Sequence, residues 1–184
     1  MDYPVRNRFG FDQRTWTALK IIAIVLAFWL LNVLFVVVHE GGHATAATLF
    51  GVHVDNVYIS PTGLEGATTH DPLQDQAQVD VVLAAGVAAT TVAVVVAWLL
   101  RLEIVVYVLG LRTVESLLNY EQGSDMLCLT QNIGSNAYLL SMALIVVTGL
   151  AVGLTLRRRI GIGYRTKRAR EAAELIRASP APAA

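Results

Sequence analysis

Cysteine is nearly absent: Cys128 is the only one in 184 residues. No internal disulfide can form and no cysteine cage for a metal can be built, so any metal must rest on histidine and carboxylate. Charge is scarce as well. Only 15% of the residues are Asp, Glu, Lys or Arg, against roughly 25% in soluble domains, which excludes an ordinary water-facing surface. Lys and Arg are missing altogether between Ile21 and Leu100. Four precede residue 21 (Arg6, Arg8, Arg14, Lys20), two lie near the middle (Arg101, Arg112), and eight follow residue 156. Those clusters read as topology determinants beside membrane spans, and no nucleic-acid partner is expected. The N-terminus lacks the basic, apolar and small-residue order of a cleaved leader, so its apolar run reads as a retained helix. There is no internal repeat and no second soluble domain.

What the chain does have is hydrophobic length. Leu19 to Val38 is almost uninterrupted Ala, Ile, Leu, Val, Phe and Trp, about the 20 residues that cross a bilayer. The apolar character continues to Phe50, with Gly51 as the stop. The sequence thus predicts an all-α membrane protein, a bundle of about four transmembrane helices with a short β-hairpin or strand after the first. The expected spans are about 19–50, 79–100, 103–120 and 136–156. A basic segment, 1–18, precedes this core of 19–156, and a basic tail, 157–184, follows it, with disorder expected at its end. Gly86, Thr90, Ala93 and Ala97 form a small-residue stripe suited to close helix packing. The 103–120 span is the weakest, because Arg112 and Glu115 are costly in hydrocarbon unless they face protein, water or each other.

One polar run interrupts the first span: His39-Glu40-Gly41-Gly42-His43. Residues four apart share a helical face, so His39 and His43 can offer two imidazole nitrogens to one tetrahedral cation. Glu40 falls beside that cation rather than on it, placed to take a proton from a zinc-bound water. This division of labour belongs to peptide hydrolysis. A catalytic zinc takes three protein ligands and keeps one position open, so a third is needed. Asp125, set in an apolar region between the last two spans, is the leading candidate. Glu65 and His70 sit in a polar loop where solvent accounts for them, and His53 follows the helix end as a surface residue. Cys128, three residues from Asp125, reads as small core filling.

At these residues the chain resembles the site-2 intramembrane metalloproteases, and among them the M50B-like members. Val37 to Ala44 followed by Leu49 to Val52 resembles the family's first core helix and its exit. Ile59 to Gly63 resembles the short β-segment that follows. Ala85-Gly86 is similar to an Ala-Gly-Pro element, with Val87 where proline is common. Gly123-Ser124-Asp125 resembles the segment that supplies the third ligand. Asn119 stands where the family places a substrate-positioning amide, although Tyr120 and Glu121 follow it with no proline; a helix-end cap is the other reading of Asn119.

The resemblance implies one Zn2+ per chain, and as substrates single-spanning membrane proteins cut within or near their membrane helix. The strand at Val54 to Ile59 either holds an unwound substrate by strand addition or is a simple covering hairpin. Expected partners are the lipid bilayer, the substrate, and a regulatory membrane protein or a second copy of the chain. The charge distribution places both termini, and the connection from Arg101 to Arg112, in the cytoplasm, in a multi-pass protein of the cell membrane. Lys20 to His39 is about 28 Å of helix, so the metal falls near the opposite face, whereas the family's sites lie nearer the cytosol. The alternatives are a zinc-binding membrane sensor or regulatory subunit without proteolysis, and a membrane scaffold without metal.

Overall fold

A computed structural model describes residues 13–178 of the chain. Residues 1–12 of the basic N-terminal segment and 179–184 of the tail, where disorder was expected, lie outside the described residues. Helix α1 runs Gln13–Leu49, strands β1 and β2 span Val54–Ile59 and Gly66–His70, and helices α2 to α5 span Gln76–Leu99, Glu103–Leu118, Asp125–Ile133 and Ser135–Ala178. Among the described residues three helices are long and apolar enough to cross a membrane: α1, α2 and the Ser135–Glu171 part of α5. Helix α3, where the weakest span was expected, has 16 residues, about 24 Å.

Local chemistry sets the ends of these elements. α1 stops where Gly51 takes φ +76° and the Val52 N–H reaches back to the Ala47 carbonyl at 3.1 Å, a left-handed helix stop that favours glycine. Asp75 caps α2 by accepting from the Gln78 N–H at 2.8 Å, and Ser124 caps α4 by accepting from Leu127 at 3.3 Å, each satisfying an otherwise orphaned donor. Helix α4 fills a stretch that the sequence left as a loop between spans, and α5 continues unbroken through Arg157, Arg158 and Arg159 into the tail.

α2 is the central helix, packed against α1, α3, α4 and α5. One apolar cluster joins Phe35, Val36, Val94, Val106 and Leu109, and a second joins Val87, Leu117, Met126 and Leu129. The N-terminal half of α1 exposes Ile22, Ile24, Val25 and Phe28, a surface suited to lipid chains and not to water.

β1 and β2 form an antiparallel hairpin in which Ile59 faces Gly66 and Val57 faces Thr68. The hairpin lies along α1 itself. Its base packs with Ala46 and Ala47 through Val54, and at its tip the Trp29 indole N–H donates to the Pro61 carbonyl at 2.9 Å. Gly63 has φ +70°, and a Cβ there would lie 2.7 Å from the Val33 backbone nitrogen. The hairpin is thereby laid against the stretch of α1 that carries the polar run.

Candidate metal centre

His39 and His43 project from one face of α1 toward Asp125, the first residue of α4. Their Nε2 atoms lie 2.9 Å and 3.1 Å from the same Asp125 Oδ2, and the two rings meet edge to face with centroids 4.8 Å apart. Phe35, one turn earlier, stacks on His39 with centroids 5.8 Å apart. Both histidines and Glu40 are buried. Burial works against ionisation of Asp125, but its hydrogen bonds with His39 and His43 outweigh it and hold the carboxyl well below the usual carboxylate range.

The donor set fits a cation. His43 Nδ1 lies 2.6 Å from the Val82 carbonyl oxygen, which can only accept, so Nδ1 carries the proton and a neutral His43 turns the lone pair of Nε2 toward the carboxylate. Two acceptors then face each other unless a proton or a metal stands between them. One ligand atom from each of His39, His43 and Asp125 lies within 4.8 Å of the others. Tetrahedral zinc with bonds near 2.0–2.1 Å sets its ligands about 3.3 Å apart, close to the 2.9 Å and 3.1 Å that separate the two Nε2 atoms from Asp125 Oδ2. The carbonyl that orients His43 is the kind of outer partner metal-bound histidines use. His39 Nδ1 is buried without a hydrogen-bond partner.

Glycine makes room for this cluster. A Cβ on Gly86 of α2 would run into His43 Nε2 and come within 2.8 Å of His39 Nε2. Sequence placed Gly86 in a packing stripe, and it does abut α1, but what it abuts is the pair of imidazoles. Gly66 of β2 is close in the same way, its Cβ position 2.6 Å from Glu40 Cγ. Glu40 stands outside the cluster. Its Oε2 accepts from Thr68 Oγ1 at 2.9 Å, a contact across 28 residues that no local pattern signals.

A cavity of about 580 Å³ opens over the cluster, lined by His39, Glu40, His43 and Asp125 among others. Asn119 reaches its wall; its Oδ1 accepts from the Glu121 N–H at 3.0 Å, a local turn at the end of α3. Glu65 and His70 also line the cavity but stand apart from the cluster. His53 faces outward near Asp55 at 3.9 Å, and Cys128 is a free, half-buried thiol outside the cluster. β2 supplies cavity wall through Gly66, Ala67, Thr68 and His70, whereas no residue of β1 lines it.

Arg112 lies here too. Sequence set it within the 103–120 span as well as at the end of the Arg101 to Arg112 connection; it sits well along α3 on the cavity wall. It pairs with Glu115 at 2.6 Å and covers the Phe35 ring at 5.3 Å, so the two residues that weaken the span do face each other.

Buried imidazoles and a carboxylate, with a second carboxylate beside them on a bilayer-length helix, define a class: a membrane protein with a candidate metal site. The chain belongs to the Peptidase M50B-like family, whose model matches residues 15–118. That match contains His39, Glu40, His43 and Gly86 and ends before Asp125, which joins them by the packing of α4. Comparison with curated proteins and with solved structures gives no match.

Proposed function

We propose that the chain is a zinc-dependent intramembrane endopeptidase that hydrolyses peptide bonds in or near the membrane segments of other membrane proteins. One observation carries the reading: His39, His43 and Asp125 converge on one point, while Glu40, one residue from the first ligand, stays off it. When bound there, zinc polarises a carbonyl and lowers the pKa of water to about 7. His39, His43 and Asp125 hold the ion, with the Val82 carbonyl fixing the tautomer of His43. Glu40 takes the proton of the attacking water and passes it to the leaving amine. Thr68 engages Oε2 and leaves Oε1 for that exchange.

A peptide bond inside a helix is hydrogen-bonded and shielded, so the substrate must be unwound. β2 is the strand placed to receive an extended segment, because it lines the cavity and pairs only with β1. Asn119, on the same wall, offers an amide to position that segment. Lys20, Arg101 and the arginines after residue 156 support a cytoplasmic placement of both termini.

Purified Glu40→Gln tests the assignment against a single-spanning membrane substrate. It should keep one zinc per chain and lose cleavage. Undiminished cleavage would remove Glu40 from the chemistry, and absence of stoichiometric zinc in the parent would remove the metal mechanism.

A further inference from the structure

We propose that the protein carries a binding site for an anionic phospholipid at the end of the helix bundle away from the metal centre. The site is a second cavity of about 610 Å³, within the roughly 300–1,000 Å³ of small-ligand pockets. It lies between the C-terminal end of α2, the start of α3 and the part of α5 where apolar sequence gives way to arginine. It shares no residue with the cavity over the metal centre. From Val82, whose carbonyl holds His43, to Trp98 on the second cavity is two-thirds of α2, about 24 Å.

The walls divide by chemistry. Trp98, Val106 and Leu154 supply apolar surface, and Arg101, Arg157 and Arg158 supply positive charge. Arg158 sits over the Trp98 ring, 4.8 Å from its centroid, so cation and apolar wall are held side by side. The one carboxylate on the wall, Glu103, is already neutralised by Arg159, whose Nη1 lies 2.7 Å from Oε2. Arg101 and Arg157 have no acidic partner among the described residues. The cavity therefore carries uncompensated positive charge.

Arg101 also occupies an unusual backbone position. It is the only described residue other than glycine with positive φ, +60°, and it ends α2 where glycine is usual. The indole N–H of Trp98 is buried without a hydrogen-bond partner. An apolar wall beneath a cationic rim, at the level where bilayer-length helices end, complements a molecule with an anionic head and hydrocarbon chains. A zwitterionic lipid lacks the net charge, and free phosphate lacks the chains.

Trp16→Phe with Trp29→Phe leaves Trp98 as the single tryptophan and a local reporter. In phosphatidylcholine vesicles, brominated phosphatidylglycerol should quench Trp98 at a mole fraction about 25-fold lower than brominated phosphatidylcholine does. Adding Arg101→Gln and Arg157→Gln should remove that preference, roughly fivefold for each charge lost, while the paired Lys substitutions keep it. Equal quenching by the two lipids in the parent overturns the proposal, as does a preference that survives in a glutamine pair with unchanged helical content. If the glutamine pair does not fold, the parent comparison decides alone. Inorganic phosphate at matched ionic strength should leave quenching unchanged; relief of quenching would mean that the arginines take phosphate without its chains, and the lipid assignment fails.

Discussion

The α-carbon of Gly86 lies so close to the imidazole of His43 that a single added methyl group would overlap Nε2. This contact joins the central helix of the bundle to the metal-binding face of α1, and it makes an opposite-signed test possible. Elsewhere in a helix, glycine to alanine stabilises by about 1 kcal/mol. Here Gly86→Ala should displace both histidines, lower bound zinc well below one per chain and reduce cleavage by about 10²-fold, the scale of a 1 Å misplacement. Full zinc occupancy by elemental analysis, with a raised melting temperature, would contradict the geometry.

Thr68→Val keeps the shape of the side chain and removes the hydroxyl that engages Glu40 Oε2. A lost hydrogen bond of about 1–1.5 kcal/mol corresponds to roughly a tenfold fall in kcat. Zinc content should not change, and Thr68→Ser should recover most of the rate. A valine variant with parental kcat would show that Glu40 needs no help from β2.

Asp125→Asn keeps the size of the side chain and replaces one carboxylate oxygen by a weaker neutral ligand. Chelator competition should show zinc affinity falling by more than the roughly 10–100-fold typical of losing an outer partner. Parental affinity would transfer the third position to another residue, and Glu65 or His70 on the same cavity wall would be next to test.

Trp29→Phe removes the donor that ties the hairpin tip to α1. Loss of that bond costs about 1 kcal/mol ten residues before His39, about 15 Å along the helix. Cleavage of a membrane substrate should fall several-fold with zinc unchanged, and limited proteolysis should find the Ser60 to Glu65 turn more open. Equal proteolytic protection in the variant would mean that the tip is held by other contacts.

The parts of this molecule that depend on a repeat or a run were legible in the sequence. The apolar length before His39 became α1, and the four-residue interval to His43 became a shared face. Helix α4 was not, although Ser124 and Gly134 bracket it with ordinary cap and stop residues, because nine residues between two spans look the same as a loop. Gly86 was visible but ambiguous: close helix packing and room for an imidazole ask for the same missing side chain. Thr68 could not be found at all, since its role arises only when the hairpin folds back along α1. Arg112 was legible as part of the third span, but its place on the cavity wall over Phe35 arises only when α3 packs against α1.

The continuity of α1 divides the centre into a part set within one helix and a part set by packing between helices. His39 and His43 ride on one unbroken helix from Gln13 to Leu49, so their separation is set before any metal arrives. Asp125 belongs to a short helix bounded by Gly123 at φ +85° and Gly134 at φ +60°. Yet its Oδ2 already lies 2.9 Å and 3.1 Å from the two imidazoles, because Met126 and Leu129 bury the other side of this nine-residue helix. Loosening that packing, as Met126→Ala would, should shift the carboxylate and weaken zinc retention, while the spacing of the histidines stays the same.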